Sequence, residues 1–350
     1  MFTYFSIGSK SRIGYRNKQH HIRQFHGSLQ KLKLIQEIQK IYKSDNEVWT
    51  EKGVLPAHIK AMITHINEGY SAFHPILVYK PFQLGQDIGV NDVDAMRRHD
   101  KLGYCCLSRK VFDHDDDPYT SVCVPSLPVD SLLFKALANI LMREFLWRRN
   151  NLPPLCELTH YNEILDYHES FWNDQKDIDR IICVDLSPSI KHVSTERFWS
   201  TLTCLHNLGV ITNILHKFVY LPICNASTNL PIPSSNCIPL IGELSDVLLH
   251  LFLQYQFDSV VLDRYEGVLY TRWNTNVLLA SRSHDSYLIE KDEIRNILNH
   301  VNLSSRNMSV LERDVGCSLP FDEEMRELIL SEDGYARVMK DGEGEIERDD

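Results

Sequence analysis

The run from Ile238 to Ala280, taken with Ile181–Leu186 upstream, constrains the fold more than any other part of this chain. Ile181-Ile182-Cys183-Val184-Asp185-Leu186 has the unbroken apolar character of a buried strand and closes on an acidic residue. Downstream, Ile238-Pro239-Leu240-Ile241-Gly242-Glu243-Leu244-Ser245 feeds an apolar segment from Val247 to Phe257 that stops at Asp258. Asp263-Arg264-Tyr265-Glu266-Gly267 reads as a turn. Val268-Leu269-Tyr270-Thr271-Arg272 and Val277-Leu278-Leu279-Ala280 then enclose the box Trp273-Asn274-Thr275-Asn276. Elsewhere apolar residues recur at helical spacing, in Gln30–Tyr42, Leu55–Ile66, Ser131–Trp147, Tyr161–Trp172, Phe198–Leu208, Val210–Tyr220 and Ile289–Val301. Short strands are expected within Leu311–Leu330. Strands and helices mixed in this way predict an α+β chain.

The 43% hydrophobic content suits a packed core, which excludes a wholly disordered chain. A formal net charge of −10 argues against a protein that grips phosphate over its whole surface. The nine cysteines contain no C-x-x-C pair, against a zinc ribbon, and read as small buried apolar residues. No apolar run reaches the ~20 residues that span a bilayer.

The N-terminus differs from the rest. Met1 to Gln36 holds no acidic residue, while Lys10, Arg12, Arg16, Lys18 and Arg23 are basic. That composition predicts a mitochondrial transit peptide over 1–28, and Arg23-Gln24-Phe25 resembles the Arg-x-Phe context of fungal matrix presequences. A retained basic arm for RNA is the alternative. Removing 1–28, with its five Lys/Arg and no acid, would take the formal charge from −10 to −15. RNA binding would then need a localised basic groove.

In order and spacing, these segments resemble the fingers and palm of group II intron reverse transcriptases and maturases, over about Ala57 to Leu319. The matches begin with a helix leading to Gly69-Tyr70-Ser71-Ala72-Phe73-His74-Pro75, then Val122-Cys123-Val124-Pro125-Ser126, Asp130 and a helix. They continue with the strand ending at Asp185, the Pro239–Gly242 loop and its helix, and the box at 273–276, where the family has a Tyr-Ala-Asp-Asp hairpin. The resemblance implies an antiparallel palm sheet packed on helices, with fingers over 29–150 and a palm over 151–320. Two departures are expected: the polar stretch 81–119 reads as an enlarged loop, and too few residues follow the hairpin for a complete thumb. The acid-rich residues 321–350 read as a tail.

Nucleotide addition on such a palm uses two divalent ions ~3.5–4 Å apart, and hard cations need anionic oxygen ligands. The family places carboxylates at the positions of Asp185, Thr275 and Asn276, and only Asp185 is one here. Its basic finger-strand residue would fall near Thr120, yet no Lys or Arg lies between Val111 and Phe134. No catalytic residue, metal or cofactor is therefore expected, and Asp185 reads as a cap for the turn Leu186-Ser187-Pro188-Ser189. The acidic run Asp113–Asp117 lacks the glycine and glutamate of an EF-hand and reads as a solvated loop. Ser187 and Ser245 sit in no G-x-S-x-G elbow, and there is no P-loop. His20, His21 and His26 fall within the transit segment. Arg264, Arg272 and Trp273 are the candidate RNA or partner contacts, with His192, Arg197 and Lys217 as further scattered positive groups. The functional expectation is an inactive reverse transcriptase-like protein of the mitochondrial matrix. It would act on mitochondrial RNA or mitoribosome-associated proteins, in splicing, transcript maturation or mitoribosome function. The rival is an acidic protein–protein scaffold that binds no RNA.

Overall fold

The computed structural model describes residues 29–69, 76–79, 122–125, 128–145, 161–186, 193–221, 223–225, 242–265, 267–273, 275–282, 289–305, 308–312, 318–321, 326–331 and 333–340. The expected transit segment over 1–28, the expected enlarged loop at 81–119 and residues 341–350 lie outside them.

Three helices open the fold: α1 (29–44), α2 (Asn46–Glu51) and α3 (Pro56–Glu68). In α1, Leu34, Ile38 and Ile41 stand at i, i+4, i+7 and are buried, while Leu32, within the same apolar run, is 51% exposed. Helix α3 starts on Pro56, whose missing N–H costs nothing at a first turn, and ends at Gly69 with φ +82. Strands β1 (Ile76–Tyr79) and β2 (Val122–Pro125) pair antiparallel, and α4 (Pro128–Phe145) follows. Helix α4 buries Leu133, Leu137, Ile140 and Leu141, and Glu37 of α1 accepts from its Asn139 at 3.0 Å and Arg143 at 2.6 Å.

Helix α5 (Tyr161–Asn173) leads to β3 (Ile178–Asp185). Helix α6 (Thr195–Thr201) is capped by Ser194, whose Oγ accepts the Arg197 N–H at 3.2 Å. Gly209, at φ +63, then lets the chain turn into α7 (Val210–Val219). The expected helix over 198–208 is therefore shorter and is followed by a single tight turn at Thr203–Leu205. Strand β4 (Ile223–Asn225) pairs parallel with β1, so the chain beyond α7 returns to the N-terminal sheet. Helices α8 (Gly242–Leu253) and α9 (Ser259–Arg264) are joined by a π-turn at Gln254–Asp258. Next come the hairpin β5 (Leu269–Trp273) and β6 (Asn276–Arg282), helix α10 (Lys291–His300) and β7 (Met308–Glu312).

The central sheet is β5-β6-β3-β7, with every neighbour antiparallel. From β3 onward the chain runs strand, helices, hairpin, helix, strand, with the first strand inside and the last at an edge. That is the split β-α-β-β-α-β order. One face, carrying Ile182, Val184, Tyr270, Val277 and Leu279, packs on helices in a core that runs without a break from Leu34 to Leu298. The core thus passes through the fingers–palm boundary expected at 150. The opposite face, carrying Ile181, Leu269, Leu278, Ala280 and Leu311, is covered by α5 and a second sheet, β8 (Ser318–Pro320), β9 (Arg326–Leu330) and β10 (Ala336–Lys340). Much of the stretch expected as an acidic tail from 321 is therefore a paired hairpin. Alternation explains it: Arg326 and Leu328 point in while Glu327 points out, as do Ala336 and Val338 against Arg337. Among the described residues no helix is long and apolar enough to cross a membrane.

Candidate functional site

Two backbone facts bring the three carboxylate positions of the resemblance together. Asp185, the last residue of β3, pairs directly with Asn276, the first of β6. The Leu186 N–H donates to the Thr275 carbonyl at 2.9 Å, closing the hairpin turn against the strand end. Opposed residues on adjacent strands share a face, so Asp185 and Asn276 stand side by side with Cys183 behind them. Burial, then the neighbouring Asp185 charge, pushes the Cys183 thiol up to about 11. It stays protonated and is no nucleophile near neutrality. The site thus offers one carboxylate, one amide and one hydroxyl. Among the described residues no three His, Cys, Asp or Glu side chains are grouped to hold a metal ion.

Behind the hairpin lies a buried polar network that the sequence reading did not anticipate. Arg272, expected on a groove wall, is 0% exposed, as is Asp258. The π-turn sets Asp258 on the inner side, where Arg272 Nε donates to it at 2.9 and 3.1 Å and Nη2 at 2.6 Å. Tyr270 also donates its hydroxyl to Asp258. Arg272 Nη2 reaches the His250 carbonyl at 3.3 Å and Nη1 lies 3.3 Å from His250 Nδ1. Burial opposes the guanidinium's charge, but the Asp258 carboxylate outweighs it and raises the arginine's pKa further. Burial and then the Arg272 charge hold His250 well below its ordinary value and take His168 down to about 3. Both imidazoles are neutral near pH 7, so His250 Nδ1 can accept from Arg272. On the sheet's other face, the Trp172 indole N–H donates to Thr271 Oγ1 at 2.8 Å. Arg272 is therefore a core residue and is removed from the contact candidates. Its charge is met by Asp258 inside the protein and not by solvent, at the cost of desolvating both groups.

The other candidates divide. Arg264 is exposed, with its guanidinium 5.7 Å from the Tyr265 ring centroid. Arg197 is held by the Asn302 carbonyl at 2.7 Å, the Gln256 amide oxygen at 3.2 Å and the Val301 carbonyl. Lys217 is exposed, and Ser245 is fully buried, which removes it as a nucleophile. The Trp273 side chain, Thr120, the Asp113–Asp117 run, Ser187, His192 and the N-terminal histidines lie outside what the structure describes.

A second electrostatic feature sits on the first two turns of α8. Asp246 Oδ1 is shut off from solvent without a hydrogen-bond partner. Burial, and then the Glu243 charge, pushes the Asp246 carboxyl up to about 8. Glu243 is raised as well by burial, opposed by Lys135.

No protein-family model matches the chain. It is similar to a Zea mays protein described as the uncharacterized 39 kDa protein in mitochondrial S-1 and S-2 DNA. The two are 26% identical over 315 residues, which cover 88% of this chain and 86% of that protein.

Proposed function

We propose that this chain is a mitochondrial matrix protein on a reverse transcriptase-like palm that no longer copies nucleic acid and acts in RNA metabolism: splicing, transcript maturation or mitoribosome function. The observation that carries this reading is the meeting of Asp185 with the β5–β6 turn at the end of a split β-α-β-β-α-β sheet. A palm needs that juxtaposition for its metal ligands, and here it assembles one carboxylate where two-metal chemistry calls for several. The acid-free N-terminus and the maize relative's mitochondrial DNA both support the compartment. Two assays test the proposal. Purified full-length protein given a primed RNA template with Mg²⁺ or Mn²⁺ is expected to yield no extension, and metal-dependent extension refutes the inactive palm. RNA co-purified with the tagged protein from mitochondria is expected to be enriched in discrete transcripts; a profile equal to the untagged control refutes the role in RNA metabolism.

Two observations favour the acidic scaffold as a second reading. Among the described residues, Arg143, Arg180, Arg272, Arg295 and Arg326 are each ion-paired with a carboxylate of the chain itself, so that part of the arginine charge is already met internally. The sheet face opposite the helices, which RNA-recognition sheets keep open for base stacking, is buried under β8–β10.

A further inference from the structure

Helices α6 and α7 present a row of four rings on the protein surface. The His206 ring stacks on Trp199 at 5.1 Å between centroids with 30° between planes. His216 meets Trp199 edge-on at 5.2 Å, and Tyr220 tilts over His216 at 4.5 Å. The two outermost rings, His206 and Tyr220, are solvent-exposed, Tyr220 at 42%, and so is His216. The connection between the helices is braced: Thr212 Oγ1 donates to the Leu205 carbonyl at 2.6 Å and accepts the Leu208 N–H at 2.9 Å. His206 Nε2 lies 2.9 Å from the Trp199 carbonyl. The rings are thus held in place before any ligand arrives.

The stretch of chain that carries them is poor in acid. Between Asp185 and Glu243 the chain has a single acidic residue, Glu196, against Lys191, Arg197 and Lys217. Helix α7 turns Asn213, His216, Lys217 and Tyr220 outward at i, i+3, i+4, i+7, with no acid among them. Arg197, unlike the ion-paired arginines above, is bound by neutral carbonyl and amide oxygens, so its charge is not cancelled locally.

We propose that the α6–α7 face is a stacking platform for single-stranded nucleic acid, with bases on the exposed His206 and Tyr220 rings and phosphates beside Lys217. Aromatic faces accept any base, and an outward helix face that carries Lys217 and no acid favours a polyanion over the acidic surface elsewhere. The proposal rests on the RNA-directed reading above and names the site that reading lacks, since Arg272 is buried and the sheet face is covered.

The test is fluorescence anisotropy of the full-length protein with a short labelled single-stranded RNA, the same sequence as DNA, and the RNA duplex. Wild type is expected to bind single strands and discriminate against the duplex; the RNA and DNA arms separate the two sources of the same chemistry. The double variant His216→Ala, Tyr220→Ala is expected to weaken binding roughly tenfold or more, and Tyr220→Phe to keep it within about twofold. Lys217→Ala is expected to lower the salt dependence by about one counterion. All three positions are exposed, and unchanged melting curves exclude misfolding. Binding that the double variant leaves intact overturns the platform while sparing the role in RNA metabolism. No binding of any single strand by wild type overturns the platform and weakens that role too. Loss of a co-purifying protein in the double variant, with nucleic-acid binding intact, makes the face a protein-docking surface and overturns the proposal.

Discussion

Arg272 and Asp258 form a charge pair with no access to water, and such a pair is far more costly to break than to replace. Asp258→Ala leaves a guanidinium buried without its counter-ion and is expected to cost about 3–5 kcal/mol in urea unfolding. Replacing both partners by apolar residues, Asp258→Leu with Arg272→Met, is expected to be milder than either single loss. A double variant as damaging as the sum of the singles would contradict a coupled pair. Asp246 gives a pH signature at the same scale. Its folded-state pKa of about 8 lies above the ordinary carboxylate value, so the native state binds the proton more tightly than the unfolded chain. The stability this group contributes is complete below about pH 4 and is lost as pH rises through 8. Because His168, lowered to about 3, acts with the opposite sign as pH falls below about 6.5, the variant isolates the effect. Asp246→Asn is expected to raise the melting temperature at pH 8 relative to wild type and to flatten the decline from pH 6. A parallel decline in both proteins would show that Asp246 does not titrate there.

The hairpin β9–β10 and helix α5 close the sheet's second face over Trp172, Ile181, Leu278 and Ala280. Arg326 secures this cover by donating to Glu169 of α5 at 2.5 Å, and Asn173 accepts the Val338 N–H at 2.7 Å. A chain ending after Phe321 is expected to expose that apolar face, bind a hydrophobic dye and lose sharp thermal unfolding; retained cooperativity would mean the cover is dispensable. The strand alternation at 326–330 was legible in the sequence, but the density of acids beyond it masked the signal. The meeting of Asp185 with the Thr275–Asn276 turn was legible because a buried strand, a helical run and two apolar segments about a turn leave few ways to pair. The burial of Arg272 was not legible. A strand covered on both faces shows no clean alternation, so a charged residue within it resembles a groove lining. The ring row on α6–α7 left only a faint trace, His216 and Tyr220 at helical spacing in an acid-poor window.

At the scale of the molecule, a chain of net charge −10 keeps an acid-poor window between Asp185 and Glu243 and holds Arg143, Arg180, Arg272 and Arg326 in internal pairs. That balance opposes general phosphate affinity, while a single confined contact is compatible with it. The measurement that bears most directly on the account is ultraviolet crosslinking of the tagged protein in intact mitochondria, with sequencing of the RNA and mapping of the crosslinked peptides. Discrete RNA species attached within 195–220 are the expected result. Clean protein partners with no crosslinked RNA would contradict it and leave the acidic scaffold as the function of this fold.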